Sequence, residues 1–249
     1  MIKGKFPNDK FESLETPFYY YDMELLQKTL QTITKETENR PFHVHYALKA
    51  NANTRILREI ASQGFGADCV SGNEILKAIE CGFSPSKIAF AGVGKSDKEI
   101  NIGLDNDIFC FNVESIPEIE VLNELAAKKG KIASVALRIN PNVDARTHKY
   151  ITTGLNENKF GINEQDLPVT LKTLSNSPNI KLIGIHFHIG SQITDLTSFE
   201  DLCVKIKLLR EWFHDQGISL EIINAGGGLG INYQHLNHFP MADFESYFR

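Results

Sequence analysis

The stretch FHVHYALKANANTRILREIASQGFGADCVSGNEILKAIECGFSPSKIAF, residues 42–90, contains three short apolar runs separated by two stretches of helix length. Phe42–Leu48 (FHVHYAL), Gly66–Val70 (GADCV) and Lys87–Phe90 (KIAF) read as strands, and the intervening segments as the helices of parallel β/α units. Extended outward, the same alternation gives strands at Asp107–Asn112, Ile132–Ile139, Leu182–His188 and Leu220–Asn224. The helices begin with S/T-x-x-E capping signals at Ser71/Glu74, Ser96/Glu99, Ser115/Glu118 and Thr197/Glu200. Before the first unit, Thr16–Asp22 (TPFYYYD) reads as an aromatic strand, followed by a helix with Leu26, Leu30 and Ile33 on one face.

Seven consecutive units predict an α/β fold of the (β/α)8 TIM-type barrel class. An open doubly wound sheet would usually carry a glycine-rich dinucleotide loop after its first strand, and none is present. The count stops one strand short of closure, since after Asn224 about one helix of sequence remains. The barrel is therefore expected to be incomplete, with two strand edges lacking their shared neighbour. Residues 1–40 are assigned to the N-terminal strand and helix, and 41–249 to the barrel.

Composition narrows the function classes. The 249 residues are 42% hydrophobic and 23% charged, as in ordinary soluble domains. With 26 Lys+Arg against 31 Asp+Glu, the net charge of −5 gives no basic footprint for nucleic acid. Cys69, Cys81, Cys110 and Cys203 form no C-x-x-C pair, which suits free thiols in a reducing, cytoplasmic compartment. No signal-peptide core or membrane-length apolar run is found, and the expected partner is a small molecule.

A barrel does its chemistry at the C-terminal ends of its strands. Lys49 follows the first, Asp68 lies in the second, Arg138 is near the end of the fifth, His188 ends the sixth, and Gly226, Gly227 and Gly228 follow the seventh. Alternation puts Lys49 on the inward face with Ala47 and His45. A lysine buried at an apolar strand end is pushed towards the neutral amine that attacks carbonyls; the competing reading is a side chain that snorkels to water. The triple glycine of NAGGGLG is either an anion-binding turn or a plain β-to-α connection. His188 and Ser191 could meet a flat ring and a phosphate, or His188 could be a satisfied core histidine. Arg138 could balance a buried carboxylate, with Asp68 and Glu74 as nearest candidates. The pairs His43/His45 and His186/His188 raise a zinc-hydrolase reading, but the first pair lies early in its strand and leaves too few ligands, so no metal is assigned. The polar segment Asn140–Asn163 is long enough to be functional.

Taken together, YALKAN (Tyr46–Asn51), GADCVSGNE (Gly66–Glu74), HFHIGSQ (His186–Gln192) and NAGGGLG (Asn224–Gly230) resemble the pyridoxal-phosphate-dependent decarboxylases of the alanine-racemase-like barrel family. The long loop NPNVDARTHKYITTGLNENKFGI most resembles the branch acting on meso-diaminopimelate. The resemblance spans residues 16–249. It implies pyridoxal 5′-phosphate as cofactor, Lys49 as the lysine bonded to it, and His188 stacked on its ring. It also implies Ser191 and Gly226–Gly228 near its phosphate, with Asp68 and Arg138 as polar groups around it. The implied reaction converts meso-2,6-diaminopimelate to L-lysine and CO2, in a protein that is a homodimer at full length.

Members of the family continue into an eighth strand with an E-P-G-R motif and a β-rich domain bearing a catalytic cysteine, and neither is found in these residues. The 249 residues alone are accordingly expected to be a poor catalyst. The other readings are a non-catalytic, single-barrel pyridoxal-phosphate-binding regulator and an ornithine or arginine decarboxylase of the same fold.

Overall fold

The computed structural model describes residues 6–141, 160–233 and 241–249. In chain order the elements are α1 (Asn8–Phe11), α2 (Met23–Thr37), β1 (His45–Ala47), α3 (Thr54–Ser62), β2 (Gly66–Cys69), α4 (Gly72–Glu80), β3 (Ile88–Phe90), α5 (Asp97–Asp105), β4 (Cys110–Val113) and α6 (Ile116–Lys128). They continue with β5 (Ala133–Arg138), α7 (Leu167–Ser175), β6 (Ile180–His186), α8 (Thr197–Asp215), β7 (Ile222–Asn224) and α9 (Phe244–Phe248). Two compact units result, one from residues 6–42 with the described part of 229–249, the other from His43–Gly228.

The larger unit is the β/α body. Its seven strands pair in parallel in the order β1-β2-β3-β4-β5-β6-β7, a curled sheet forming an incomplete barrel. Among the described residues β1 pairs only with β2, and β7 only with β6, as the strand count predicts. Alternation divides the side chains. Ala67, Cys69, Ile88, Phe90, Phe111, Val113, Val135, Leu137 and Ile185 are buried towards helices that contribute Leu57, Ile60, Ile75, Ile100, Ile119 and Leu122. Each such large side chain contributes about 1.5–3 kcal/mol by leaving water. The opposite face carries Ala47, Asp68, Ala89 and Cys110 in register, and Ala136 opposite Asn112 one level further along, side chains small enough for the sheet to curl around them. A register shift between Val135 and Ala136 lets Ile183 join Cys110 and Ala136 in the inner core.

Three expected helix starts are observed. The Ser71, Ser96 and Ser115 hydroxyls accept from the backbone N–H of Glu74, Glu99 and Glu118, respectively. Thr197 does not cap. Leu196 is the residue before α8, so Thr197 is already inside the helix, and its N–H and hydroxyl both donate to Asp195 Oδ1, at 3.1 and 2.6 Å.

In the smaller unit, α2 is capped by Asp22, whose Oδ1 accepts from Leu25 N at 3.0 Å. Of its expected apolar face, Leu30 is buried. Thr16–Asp22 forms no strand and has no ladder partner among the described residues. Its aromatic side chains still pack locally, Phe11 lying 5.2 Å from Phe18 and 5.1 Å from Tyr20 between ring centroids. No helix among the described residues is long and apolar enough to cross a membrane.

Gly184 shows how tightly the β6–β7 edge is fitted, since a Cβ there would stand 2.3 Å from the Ile222 carbonyl oxygen. Replacing Gly184 with alanine should cost about 1–3 kcal/mol in thermal or urea unfolding. Gly94→Ala, where a Cβ meets nothing within 4 Å, should stay within about 0.5 kcal/mol. Equal stability of the two variants would contradict the β6–β7 register.

Candidate active site

The expected first strand runs to Leu48, but β1 ends at Ala47 and the chain tightens into a 3-10 turn, Leu48–Ala50. Lys49 sits on that turn. Leu48 anchors it, fully buried, and the Tyr46 hydroxyl closes it by donating to the Asn51 carbonyl at 3.1 Å. Strand alternation therefore does not extend to Lys49, and its side chain is exposed rather than buried at an apolar strand end. Its charge nevertheless acts on both Asp68 and His188, so it faces the same rim as they do.

Asp68 is half-buried in β2. Burial raises its carboxyl to about 6; Lys49 and Arg138 pull the value down, and Glu74 and Glu114 push it up. His188, two residues beyond β6, is lowered to about 4, chiefly by burial and further by Arg138 and Lys49. Lys49 and Arg138 thus both act on Asp68 and on His188 at one rim.

The partner of Arg138 is neither Asp68 nor Glu74. Its Nη1 donates to both carboxylate oxygens of Glu114, each at 2.9 Å, with the Glu114 side chain 2% exposed. Register explains this choice: Val113 of β4 pairs with Leu137 of β5, so the residues that follow them emerge side by side. Glu74 is engaged elsewhere, its carboxylate accepting from Val70 N at 2.7 Å. Phe160 covers Arg138 with its ring centroid 5.1 Å from the guanidinium carbon. Gly161, at φ +83°, packs against the Arg138 backbone. These two residues belong to the long polar segment, of which 142–159 lie outside the described residues.

The glycine turn and the His188 segment lie back to back. A Cβ on Gly226 would meet the Phe187 carbonyl oxygen at 2.2 Å, and one on Gly228 the Gly190 carbonyl oxygen at 2.2 Å. Both glycines have positive φ, +76° and +111°. Gly227 faces open space. Asn224 fixes the entry to the turn, its Oδ1 accepting from Gly226 N at 2.9 Å. Ile193 N donates to Gly228 O at 2.8 Å, which brings the exposed Ser191 alongside.

Sequence reasoning missed Glu114, although it continues the inward series Cys110, Asn112, Glu114 at strand spacing. It also treated His186 only as half of a zinc pair. His186 is in register with Arg138 and Asn224, and its buried Nδ1 has no hydrogen-bond partner among the described residues, as is true of Asn112 Nδ2 on the same inner face. Burial and the neighbouring cations hold it well below the ordinary imidazole value. Among the described residues, no group of three or more His, Cys, Asp or Glu side chains is placed to hold a metal ion.

Comparison with known proteins gives a consistent result. The family model described as "pyridoxal-dependent decarboxylase, pyridoxal binding domain" matches residues 23–249. Diaminopimelate decarboxylase of Bacteroides thetaiotaomicron is 56% identical over 248 residues, 99% of this chain and 64% of that protein. The Neisseria meningitidis serogroup A enzyme of the same name is 45% identical over 90% of this chain and 55% of its own length. The structure of Helicobacter pylori diaminopimelate decarboxylase complexed with L-lysine superposes with a TM-score of 0.90 at 36% identity, covering 97% of this chain and 60% of that one. The M. jannaschii enzyme in co-complex with L-lysine gives 0.87 and 36%, covering 96% and 57%. The chain therefore spans somewhat over half the length of these relatives. An ordered parallel sheet whose rim gathers these groups, together with a family match from residue 23 to residue 249, makes this chain a member of the pyridoxal-dependent decarboxylases, carrying their pyridoxal-binding domain.

Proposed function

We propose that the protein containing this chain decarboxylates meso-2,6-diaminopimelate to L-lysine and CO2, using pyridoxal 5′-phosphate. The observation that carries the reading is the convergence of Lys49, Asp68, Arg138 and His188 on one rim, beside a glycine turn that leaves Gly227 open. The choice of substrate is supported by the names of the relatives and by the L-lysine bound in two of the solved structures. A small amino-acid ligand, a cytoplasmic location and a homodimer belong to the same reading. The four free cysteines suit that compartment.

The residues present fit the cofactor. Positive-φ glycines pressed against carbonyl oxygens leave no room for side chains, so backbone N–H groups can approach a phosphate closely. Ser191 adds a hydroxyl at the same end. When bound, pyridoxal 5′-phosphate supplies an aldehyde for an amine and a ring that accepts the electrons left when carboxylate departs as CO2.

Lys49 presents the amine from an exposed turn held by Tyr46 and Leu48. His188, whose imidazole is neutral near pH 7, would hold the cofactor ring. Arg138, held by Glu114, adds a fixed positive charge to the pocket. Asp68, with its carboxyl near 6, holds or releases a proton close to neutrality. Separate anchors for phosphate, ring and aldehyde keep the scissile bond in one orientation, which is where positioning lowers the barrier.

Two measurements test this reading. The purified full-length product of the gene encoding this chain should release CO2 from meso-diaminopimelate at least about tenfold faster than from ornithine or arginine, a difference of about 1.4 kcal/mol in barrier. Comparable release from ornithine would move the assignment to another branch of the family. In the cofactor-free chain, NMR titration of His188 should give a midpoint near 4. The unfolded value is about 6.5, so the unfolded chain binds more protons between the two. The contribution of His188 to stability is then fully present above about 6.5 and is lost as pH falls through 4. A midpoint near 6.5 would mean that His188 is neither buried nor beside Arg138.

A further inference from the structure

Behind the rim lies a second buried ion pair, to which the proposed chemistry assigns no part. Lys95, in the loop after β3, has a side chain only 1% exposed and donates to Glu118 Oε1 at 2.6 Å, Gly92 O at 2.8 Å and Asn112 O at 2.8 Å. An ammonium has three N–H bonds, and each finds an acceptor.

Both outer arms of this arrangement lead to Glu114. Glu118 uses its second oxygen to accept from Glu114 N at 2.9 Å. Gly92 returns its own N–H to Glu114 Oε1 at 2.8 Å. Lys95 therefore grips the backbone and the carboxylate of Glu114 by two separate routes, and that carboxylate grips Arg138. Burying a lysine is costly unless close acceptors satisfy its ammonium. Capping α6 does not require it, because Ser115 already does so.

We propose that Lys95 is a positioning residue of the site: by fixing Gly92 and Glu118 it orients Glu114, and so sets where the Arg138 guanidinium stands. The proposal rests on the reading of the rim as a cofactor site. It extends that reading to a residue that touches neither the rim nor any of the sequence candidates.

The test compares Lys95→Met, Glu114→Gln and the double variant, each made in the full-length product of the gene encoding this chain, with the unaltered full-length protein. Three readouts are used: thermal unfolding, the NMR midpoint of His188 without cofactor, and the dissociation constant for pyridoxal 5′-phosphate. His188 faces Arg138, Lys49 and His186, so a displaced guanidinium registers there whether or not cofactor binds. Lys95→Met should move the midpoint up from about 4 towards the ordinary imidazole value and weaken cofactor binding about tenfold, and adding it to Glu114→Gln should produce little further change. A folded Lys95→Met chain with midpoint and affinity both unchanged would overturn the proposal, as would effects that simply add in the double variant.

If Lys95→Met fails to fold, Lys95→Met with Glu118→Gln removes both charges and leaves an oxygen for Glu114 N, and it is read in the same way. Failure of that pair to fold would also overturn the proposal, because Lys95 would then be a determinant of the fold. If the unaltered full-length protein binds no cofactor, the cofactor reading fails, while the His188 midpoint still decides the role of Lys95.

Discussion

A strand that pairs in parallel with its sequence neighbour can be reached only by returning the chain along the outside of the sheet, usually through a helix. Repeated through β7 in strict chain order, that requirement leaves every strand pointing the same way. All the βα connections then open on one rim. Lys49, Asp68, Glu114, Arg138, His188 and the glycine turn come from parts of the chain far apart in sequence, yet they need no long excursions to meet. The price is two strand edges, at β1 and β7, each paired on one side only among the described residues.

Charge is distributed over this scaffold in two layers. At the rim stand Lys49, Asp68, Arg138 and His188, the charges of Lys49 and Arg138 acting on both Asp68 and His188. Beneath them Glu114 takes both Arg138 and the Gly92 N–H, and Lys95 with Glu118 holds Glu114 from behind. Buried pairs of this kind are poor devices for stability, because desolvation offsets most of their attraction. They are effective at fixing geometry, since breaking one partner leaves an uncompensated charge. A rim that must hold a cofactor in one orientation gains more from fixed charges than from extra apolar contact.

Much of the fold was legible because parallel strands covered by helices are apolar in short runs, and serine caps mark where helices start. The end of β1 was not, since nothing local in YALKAN distinguishes a strand end from a 3-10 turn; the turn is closed by the Tyr46 hydroxyl reaching Asn51. The partner of Arg138 was misread for a related reason. Glu74 and Asp68 drew attention through a motif, whereas Glu114 is chosen by the β4–β5 register, which only pairing between strands determines. Lys95 gave no signal at all, because a lysine in a glycine-containing loop is ordinarily solvated. Thr197 fitted a capping pattern, but it is the first residue of α8 rather than the residue before it.

The most direct test of the central claim, that the rim is a pyridoxal phosphate site built around Lys49, is borohydride reduction of the protein in the presence of the cofactor, followed by peptide mapping. The label should be recovered on Lys49, within the segment Tyr46–Asn51. Recovery on Lys95 or another lysine, with Lys49 unmodified, would contradict it.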